Sequence, residues 1–282
     1  MTVRELIDNL QDIKLAIFDL DGVVYLGNTL IPNVDRAIEN LKELGINVVY
    51  NSNNSTITRE RYVEKLARLN IPSIFSDFYT SASITAQEIT KEKKNSKIFI
   101  IGEVGLREEL NILGHEILEK PSKAQCSEVD FVIVGLDRNF NYEKLAIAQR
   151  CVLEGNARFY ATNADTTLPV SDGLMPGAGV MVNALSTCTN QQPLKIFGKP
   201  QPDGIILILK KLNVKPQEAI IFGDRLETDI LAGNRAKINT AVVLTGVSSK
   251  KSILSLMKDD TTDKNLNPDF IFNTLTEIFK NI

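Results

Sequence analysis

Tryptophan is absent from the 282 residues, and histidine occurs once, at His115. A single imidazole rules out histidine pairs or triads, so acid–base chemistry falls to carboxylates, lysine or tyrosine. His115 follows Leu113-Gly114 as though opening a strand and reads as structural. The three cysteines, Cys126, Cys151 and Cys188, lie far apart with no Cys-x-x-Cys pair, which points to buried thiols rather than a zinc site or a disulfide framework. No apolar run approaches the roughly 18 residues of a membrane span. The opening residues, Met1-Thr-Val-Arg-Glu-Leu-Ile-Asp8, lack the apolar core of a signal peptide, and the chain reads as cytoplasmic with no membrane partner. A formal net charge of −3 supplies no basic field for a phosphate backbone, so nucleic acid is not expected as the main partner. Walker-type phosphate loops are missing too. Gly177-Ala-Gly179 lacks a third glycine at position 182 and a strand before it, which excludes a dinucleotide fingerprint.

What is present is ordinary for a globular protein, at 43% hydrophobic and 24% charged residues, and the length suits two domains. The most informative stretch is Leu15-Ala-Ile-Phe-Asp19-Leu-Asp21-Gly22-Val-Val-Tyr25. An apolar run that stops at Asp and Gly is a buried strand ending where α/β sheets place their ligands. Side chains at i and i+2 of a strand point the same way, so Asp19 and Asp21 are expected on one side, about 7 Å apart if the strand stays straight. Two like charges so placed call for a cation or a shared proton. A calcium loop starting at Asp19 would need Gly and Glu where the chain has Val24 and Leu30. A plain Asp-Gly turn is the structural alternative.

Further along, Val34, Ile38, Leu41 and Leu44 mark a helical face closed by Gly45, and Ile46–Tyr50 a second strand, which together make a βαβ unit with parallel strands. The polar run Asn51-Ser52-Asn53-Asn54-Ser55-Thr56 follows and leads into a helix from Thr58 to Leu69. Such a run is either a phosphate cradle or a helix-capping cluster. From Ser81 to Cys188 strands and helices keep alternating, enough for a separate core, with 163–179 read as a loop. Lys195–Phe197 reads as a short strand ending in Gly198-Lys199-Pro200, and Ala219–Phe222 as a buried strand ending in Gly223-Asp224-Arg-Leu-Glu-Thr-Asp229. Strands at Thr240–Leu244 and Asp269–Phe272, a helix at Leu275–Phe279 and a solvated loop at Lys258–Asn265 complete the reading. The expected organisation is a first domain over 1–80 and 191–282, with a second domain at 81–190 inserted into it. The fold class is α/β, a doubly wound parallel sheet carrying an inserted α/β domain.

Four strand ends then carry chemistry: Asp19 and Asp21, Ser52 to Asn54, Lys199, and Asp224 with Asp229. In a parallel sheet these meet along one edge. Carboxylates suit a hard cation such as Mg²⁺, and lysine and hydroxyl suit phosphate oxygens. These motifs resemble those of the haloacid dehalogenase (HAD) superfamily of phosphohydrolases: Phe18-Asp19-Leu-Asp21-Gly22, Ser52, Lys199, and Gly223-Asp224 through Asp229. Flanking residues are most similar to the branch of p-nitrophenylphosphatases, phosphoglycolate phosphatases and pyridoxal phosphate phosphatases, and segments 135–145 and 161–165 resemble its cap domain.

The resemblance implies a Mg²⁺-dependent phosphatase for small phosphorylated metabolites. Asp19 would be the nucleophile forming an aspartyl phosphate, and Asp21 the general acid–base. Asp19, the Asp21 carbonyl and Asp224 would hold the metal. Ser52, Asn53, Asn54 and Lys199 would bind phosphate. Asp229 would stand behind them, or else be a charge at a helix N-terminus. The cap would choose the substrate through the loop around Leu168. In animal pyridoxal phosphate phosphatases a histidine matches Leu168, which speaks against that substrate. Dimerisation through the cap is implied as well. A phosphotransferase using the same intermediate and a non-catalytic binding protein on the same fold remain as alternatives.

Overall fold

A computed structural model describes residues 12–170, 173–258 and 263–279. The opening segment, Asp172 and positions 259–262 of the Lys258–Asn265 stretch lie outside the described residues. The chain divides into two units, one comprising the residues up to Ser52, Val63–Tyr79 and Lys199 onward, the other Asn53–Tyr62 and Thr80–Gly198.

Strands are numbered in chain order. The sheet of the first unit contains β1 (Leu15–Phe18), β4 (Asn47–Ser52), β5 (Phe78–Thr80), β13 (Ala219–Gly223), β14 (Asn239–Val243) and β15 (Phe270–Phe272). They lie side by side as β15-β14-β13-β1-β4-β5. The strand order reverses between β1 and β13, and in doubly wound sheets that reversal opens the ligand crevice at the carboxyl ends. β1 pairs in parallel with both neighbours, Phe18 standing opposite Phe222 on one side and Tyr50 on the other. Every residue of β1 and β13 is buried, as continuous apolar runs covered on both faces should be. The rings of Phe18 and Phe222 stack at 4.8 Å, directly beneath the two loops that matter. The helix Val34–Glu43 buries Val34, Ala37, Ile38 and Leu41. It stops at Gly45, whose φ of +78° lets its amide turn back to the Lys42 carbonyl. A short hairpin, β2 (Tyr25–Leu26) with β3 (Thr29–Leu30), follows the first loop.

The second unit has its own parallel sheet, ordered β12-β9-β8-β6-β7, from β6 (Lys97–Ile101), β7 (Glu116–Ile117), β8 (Phe131–Val134), β9 (Arg158–Ala161) and β12 (Lys195–Ile196). Its core gathers Phe99, Val132, Phe159, Met181 and Leu185. Cys126 and Cys151 are buried in the same cluster as free thiols with their sulfurs 3.2 Å apart.

Three features differ from the sequence reading. The stretch read as a loop at 163–179 contains an antiparallel hairpin, β10 (Thr167–Val170) with β11 (Gly173–Pro176). All of β11 is exposed, so no buried alternation announces it. β12 joins β9 in the second sheet rather than the first. β1 is flanked by β13 and β4, which leaves no position for a further strand beside Asp19. Finally, Leu275–Phe279 winds as a 3₁₀ turn, and an α-helix occupies Lys250–Lys258.

His115 is buried in the second unit. Its Nδ1 accepts from the Ser96 amide at 3.1 Å, so the proton sits on Nε2, 2.8 Å from Thr90 Oγ1. Burial lowers its pKa, against a weaker opposing pull from Asp130. A depressed histidine stabilises the fold above its unfolded pKa of about 6.5, and that contribution is lost as pH falls through the folded value. The stability advantage of wild type over His115→Gln, about 1 kcal/mol at pH 7.5, is therefore expected to shrink at pH 5.5 in urea unfolding. An advantage independent of pH would contradict the buried neutral state.

Candidate active site

At the end of β1 the Asp19 amide still donates to the Phe222 carbonyl, at 2.9 Å, so the ladder extends one residue past the strand. The chain then reverses. Gly22, at φ +83°, donates its amide to the Tyr25 carbonyl, and the Tyr25 amide donates to Leu20. A side chain at Gly22 would be strained, and its Cβ would stand 2.5 Å from Asp224 Oδ2.

Lys199 is the hub. Its Nζ donates to Asp19 Oδ1 at 2.6 Å, Asp229 Oδ1 at 2.6 Å and the Asn51 carbonyl at 2.8 Å, which uses all three ammonium protons. Burial alone would lower its pKa, but Asp19 and Asp229 outweigh that and raise it, so the lysine stays charged. It reaches the site from the loop before the helix Asp203–Leu212, not from a strand of this sheet. Asp229 sits in a π-helical turn, Leu226–Ile230, where its Oδ2 also accepts from the Arg225 amide and Thr228 Oγ1, both at 3.2 Å. Both of its oxygens are thus engaged with protein donors.

Carboxylate oxygens of Asp19, Asp224 and Asp229 lie within 4.8 Å of one another. One ammonium does not balance three carboxylates. Burial pushes Asp19 up to about 7 despite Lys199, with Asp229 and Asp224 adding to the rise. Burial, then Asp229, pushes Asp224 up to about 6. All donors are hard oxygens, and Asp19 and Asp224 each direct only one oxygen to the protein, to Lys199 and to the Val247 amide at 2.8 Å. The set fits a small divalent cation held by Asp19 and Asp224, with Asp229 behind.

The Asp21 carboxyl is outside that cluster among the described residues and is exposed. Partial burial raises its pKa, opposed first by Lys65, then by the Gly27 amide and Arg225. Ser52 ends β4, half-buried. Asn53 and Asn54 belong to the second unit. There the Asn53 side-chain nitrogen contacts both carboxylate oxygens of Asp165 at 3.1 Å, and its carbonyl accepts from Ser81 Oγ and Asn163 Nδ2. Asn54 Oδ1 accepts from the amide and hydroxyl of Thr56, both at 2.7 Å. Leu168 pairs with Met175 and packs on the core of the second unit, while Leu174 and Met175 are the exposed apolar residues of that hairpin.

Two contributors escaped the sequence reading. One is the Asn51 carbonyl. The other is the loop after β14, where Thr245 Oγ1 donates to the Gly22 carbonyl at 2.6 Å and Val247 caps Asp224. The nearest signal was Thr245-Gly246 directly after a buried strand. A Cβ on Gly246 would lie 2.0 Å from Asp224 Oδ2. Gly246→Ala must therefore displace that carboxylate, and a loss of roughly 10- to 100-fold in Mg²⁺ affinity is expected by titration; unchanged affinity would show that Asp224 holds no metal.

The comparisons agree with this geometry. A family model described as haloacid dehalogenase-like hydrolase matches residues 16–116, and a second, HAD-hydrolase-like, matches 196–278. Phosphoglycolate phosphatase 2 of Arabidopsis thaliana is 36% identical, over 94% of this chain and 91% of its own. The p-nitrophenyl phosphatase structure from Archaeoglobus fulgidus superposes with a TM-score of 0.85 at 32% identity, covering 95% of this chain and 98% of that one. The glycerol phosphate phosphatase of Mycobacterium tuberculosis, solved in complex with magnesium, gives 0.84 at 27% identity, covering 95% and 77%. The chain belongs to the haloacid dehalogenase-like hydrolases, in the branch of phosphatases that carry an inserted cap.

Proposed function

We propose that this protein hydrolyses small phosphomonoesters with Mg²⁺, through an aspartyl-phosphate on Asp19. The observation that carries the reading is the convergence of Asp19, Asp224, Asp229 and Lys199 at the strand-order reversal. Lys199 holds Asp19 Oδ1, so the second oxygen, Oδ2, is the one presented for attack. Lys199 and Ser52 bind the non-bridging phosphate oxygens, and the backbone amides at Asn53 and Asn54 add donors, since the Asn53 side chain is committed to Asp165. Asp21 gives its proton to the leaving oxygen and later takes one from the attacking water. A cation held by Asp19 and Asp224, with the Asp21 carbonyl, would keep Asp19 ionised and offset its repulsion from the phosphate. Substrate choice falls to the second unit, because relatives of the same fold act on phosphoglycolate, p-nitrophenyl phosphate or glycerol phosphate.

The test is p-nitrophenyl phosphate hydrolysis with Mg²⁺ and with chelator, followed by product analysis in the presence of an alcohol. Phosphate released to water supports a hydrolase; phosphorylated alcohol as the main product makes it a transferase. A folded protein silent on p-nitrophenyl phosphate, phosphoglycolate and sugar phosphates ends the reading. Independently of turnover, Mg²⁺ should raise the melting temperature, and by more at pH 8 than at pH 5.5. Asp19 and Asp224, with pKa values pushed to about 7 and about 6, must lose their protons to bind it. A shift of equal size at both pH values would contradict the assigned ligands.

A further inference from the structure

Lys65 lies on the helix Arg59–Arg68, in the part that belongs to the first unit. Its ammonium sits over the face of the Tyr25 ring, 3.4 Å from the centroid. Tyr25 is itself buried, 3% exposed, and bridges to Asp21 across the turn that follows β1. The lysine is therefore anchored by a cation–π contact on the residue that closes the Asp21 turn. Half-buried lysines pay for desolvation unless a negative charge is near, and the carboxylate that acts on Lys65 is that of Asp21. Among the charges acting on Asp21, Lys65 ranks ahead of Arg225.

We propose that Lys65 is a positioning residue for proton transfer: held on Tyr25, its ammonium stabilises the carboxylate that Asp21 becomes when it protonates the leaving oxygen. The proposal rests on the reading of Asp21 as proton donor. In the step concerned, a bond forms between Asp19 Oδ2 and phosphorus, and the ester P–O bond breaks with its electron pair on the leaving oxygen. That oxygen takes the Asp21 proton, and the new negative charge settles on Asp21 beside Lys65. The benefit depends on the leaving group. p-Nitrophenolate leaves without a proton, whereas phenolate, a far stronger base, needs one.

The experiment compares kcat/KM for p-nitrophenyl phosphate and phenyl phosphate in wild type, Lys65→Met, Lys65→Gln, Lys65→Arg and Asp21→Asn. The ratio kcat/KM reports the step through phosphoryl transfer and is blind to later hydrolysis of the intermediate. Lys65→Met and Lys65→Gln are expected to lose roughly tenfold on phenyl phosphate and under about twofold on p-nitrophenyl phosphate, and Lys65→Arg to restore most of the loss. Asp21→Asn should show the same split more steeply, by about 10²- to 10⁴-fold. If Asp21→Asn shows the split and the neutral Lys65 variants lose equally on both substrates, or on neither, Lys65 is only structural and the proposal is overturned. If Asp21→Asn shows no split, the proton-donor reading fails and takes the proposal with it. Two neutral variants guard against one that folds poorly.

Discussion

Asp19→Asn is expected to fold normally and to release no phosphate, with turnover reduced by roughly 10⁴-fold or more. The amide is nearly isosteric with the carboxylate but neutral, and its oxygen is too weak a nucleophile to open the ester. Substitution also removes one of three carboxylates crowded within 4.8 Å of each other. Asp19 is so far from comfortable as an anion that its pKa rises to about 7. In chelator the variant should therefore melt no lower than wild type, a stability cost that an active site accepts for function. Two measurements check this. Phosphate release should vanish, and acid-quenched wild type should retain phosphate covalently while the variant should not. Residual activity within tenfold of wild type would remove Asp19 from the nucleophile's role.

How much of this was legible beforehand depends on whether function resides in side chains or in backbone. Asp19 and Asp224 were readable because a carboxylate at the end of a buried apolar run is unfavourable unless a cation or a donor meets it, and both follow strands whose residues are entirely buried. Lys199 was readable as a residue, yet its route was not. The two-residue β12 is too short for its pattern to say which sheet it joins, and only the pairing of β1 on both edges sends it to the second. The Asn51 carbonyl and the Val247 amide left no trace, because every residue type offers those groups. Gly246 was visible as a glycine but not as the one that gives Asp224 room. The Asn53 side chain was read as a donor because nothing near it in sequence foretells Asp165, 112 positions away. Leu168 looked like a substrate contact on a loop; the hairpin turns it onto the core.

Lys199→Met should be the most damaging substitution for stability, and its pH dependence separates an electrostatic hub from a packing residue. Methionine has nearly the same length and leaves little cavity, so the loss is one of charge. Lys199 is 5% exposed and bonds two carboxylates and a carbonyl, and stripping one partner from a buried pair costs about 3–5 kcal/mol because the charges left behind have no water. Without the ammonium, Asp19 and Asp224 rise further above the values near 7 and 6 that they already have. A carboxyl raised in the folded state stabilises fully below its unfolded pKa of about 3.9, and that contribution is lost as pH climbs through the folded value. Wild type does not share the added loss, since the raised Lys199 pKa keeps its charge throughout this range. The difference between the proteins, measured by denaturant unfolding in chelator, is thus expected to be small at pH 5 and near its full size at pH 8. Mg²⁺ should recover part of it at pH 8 by supplying a positive charge to the same carboxylates. Turnover should fall by roughly 10³-fold even where the fold survives, the lysine being the donor to Asp19 and to the phosphate. Lys199→Arg should not rescue it, because a planar guanidinium does not match three acceptors arranged around an ammonium. A destabilisation of the same size at pH 5 and pH 8 would mean that the side chain is held by packing alone and that the carboxylates do not need its charge.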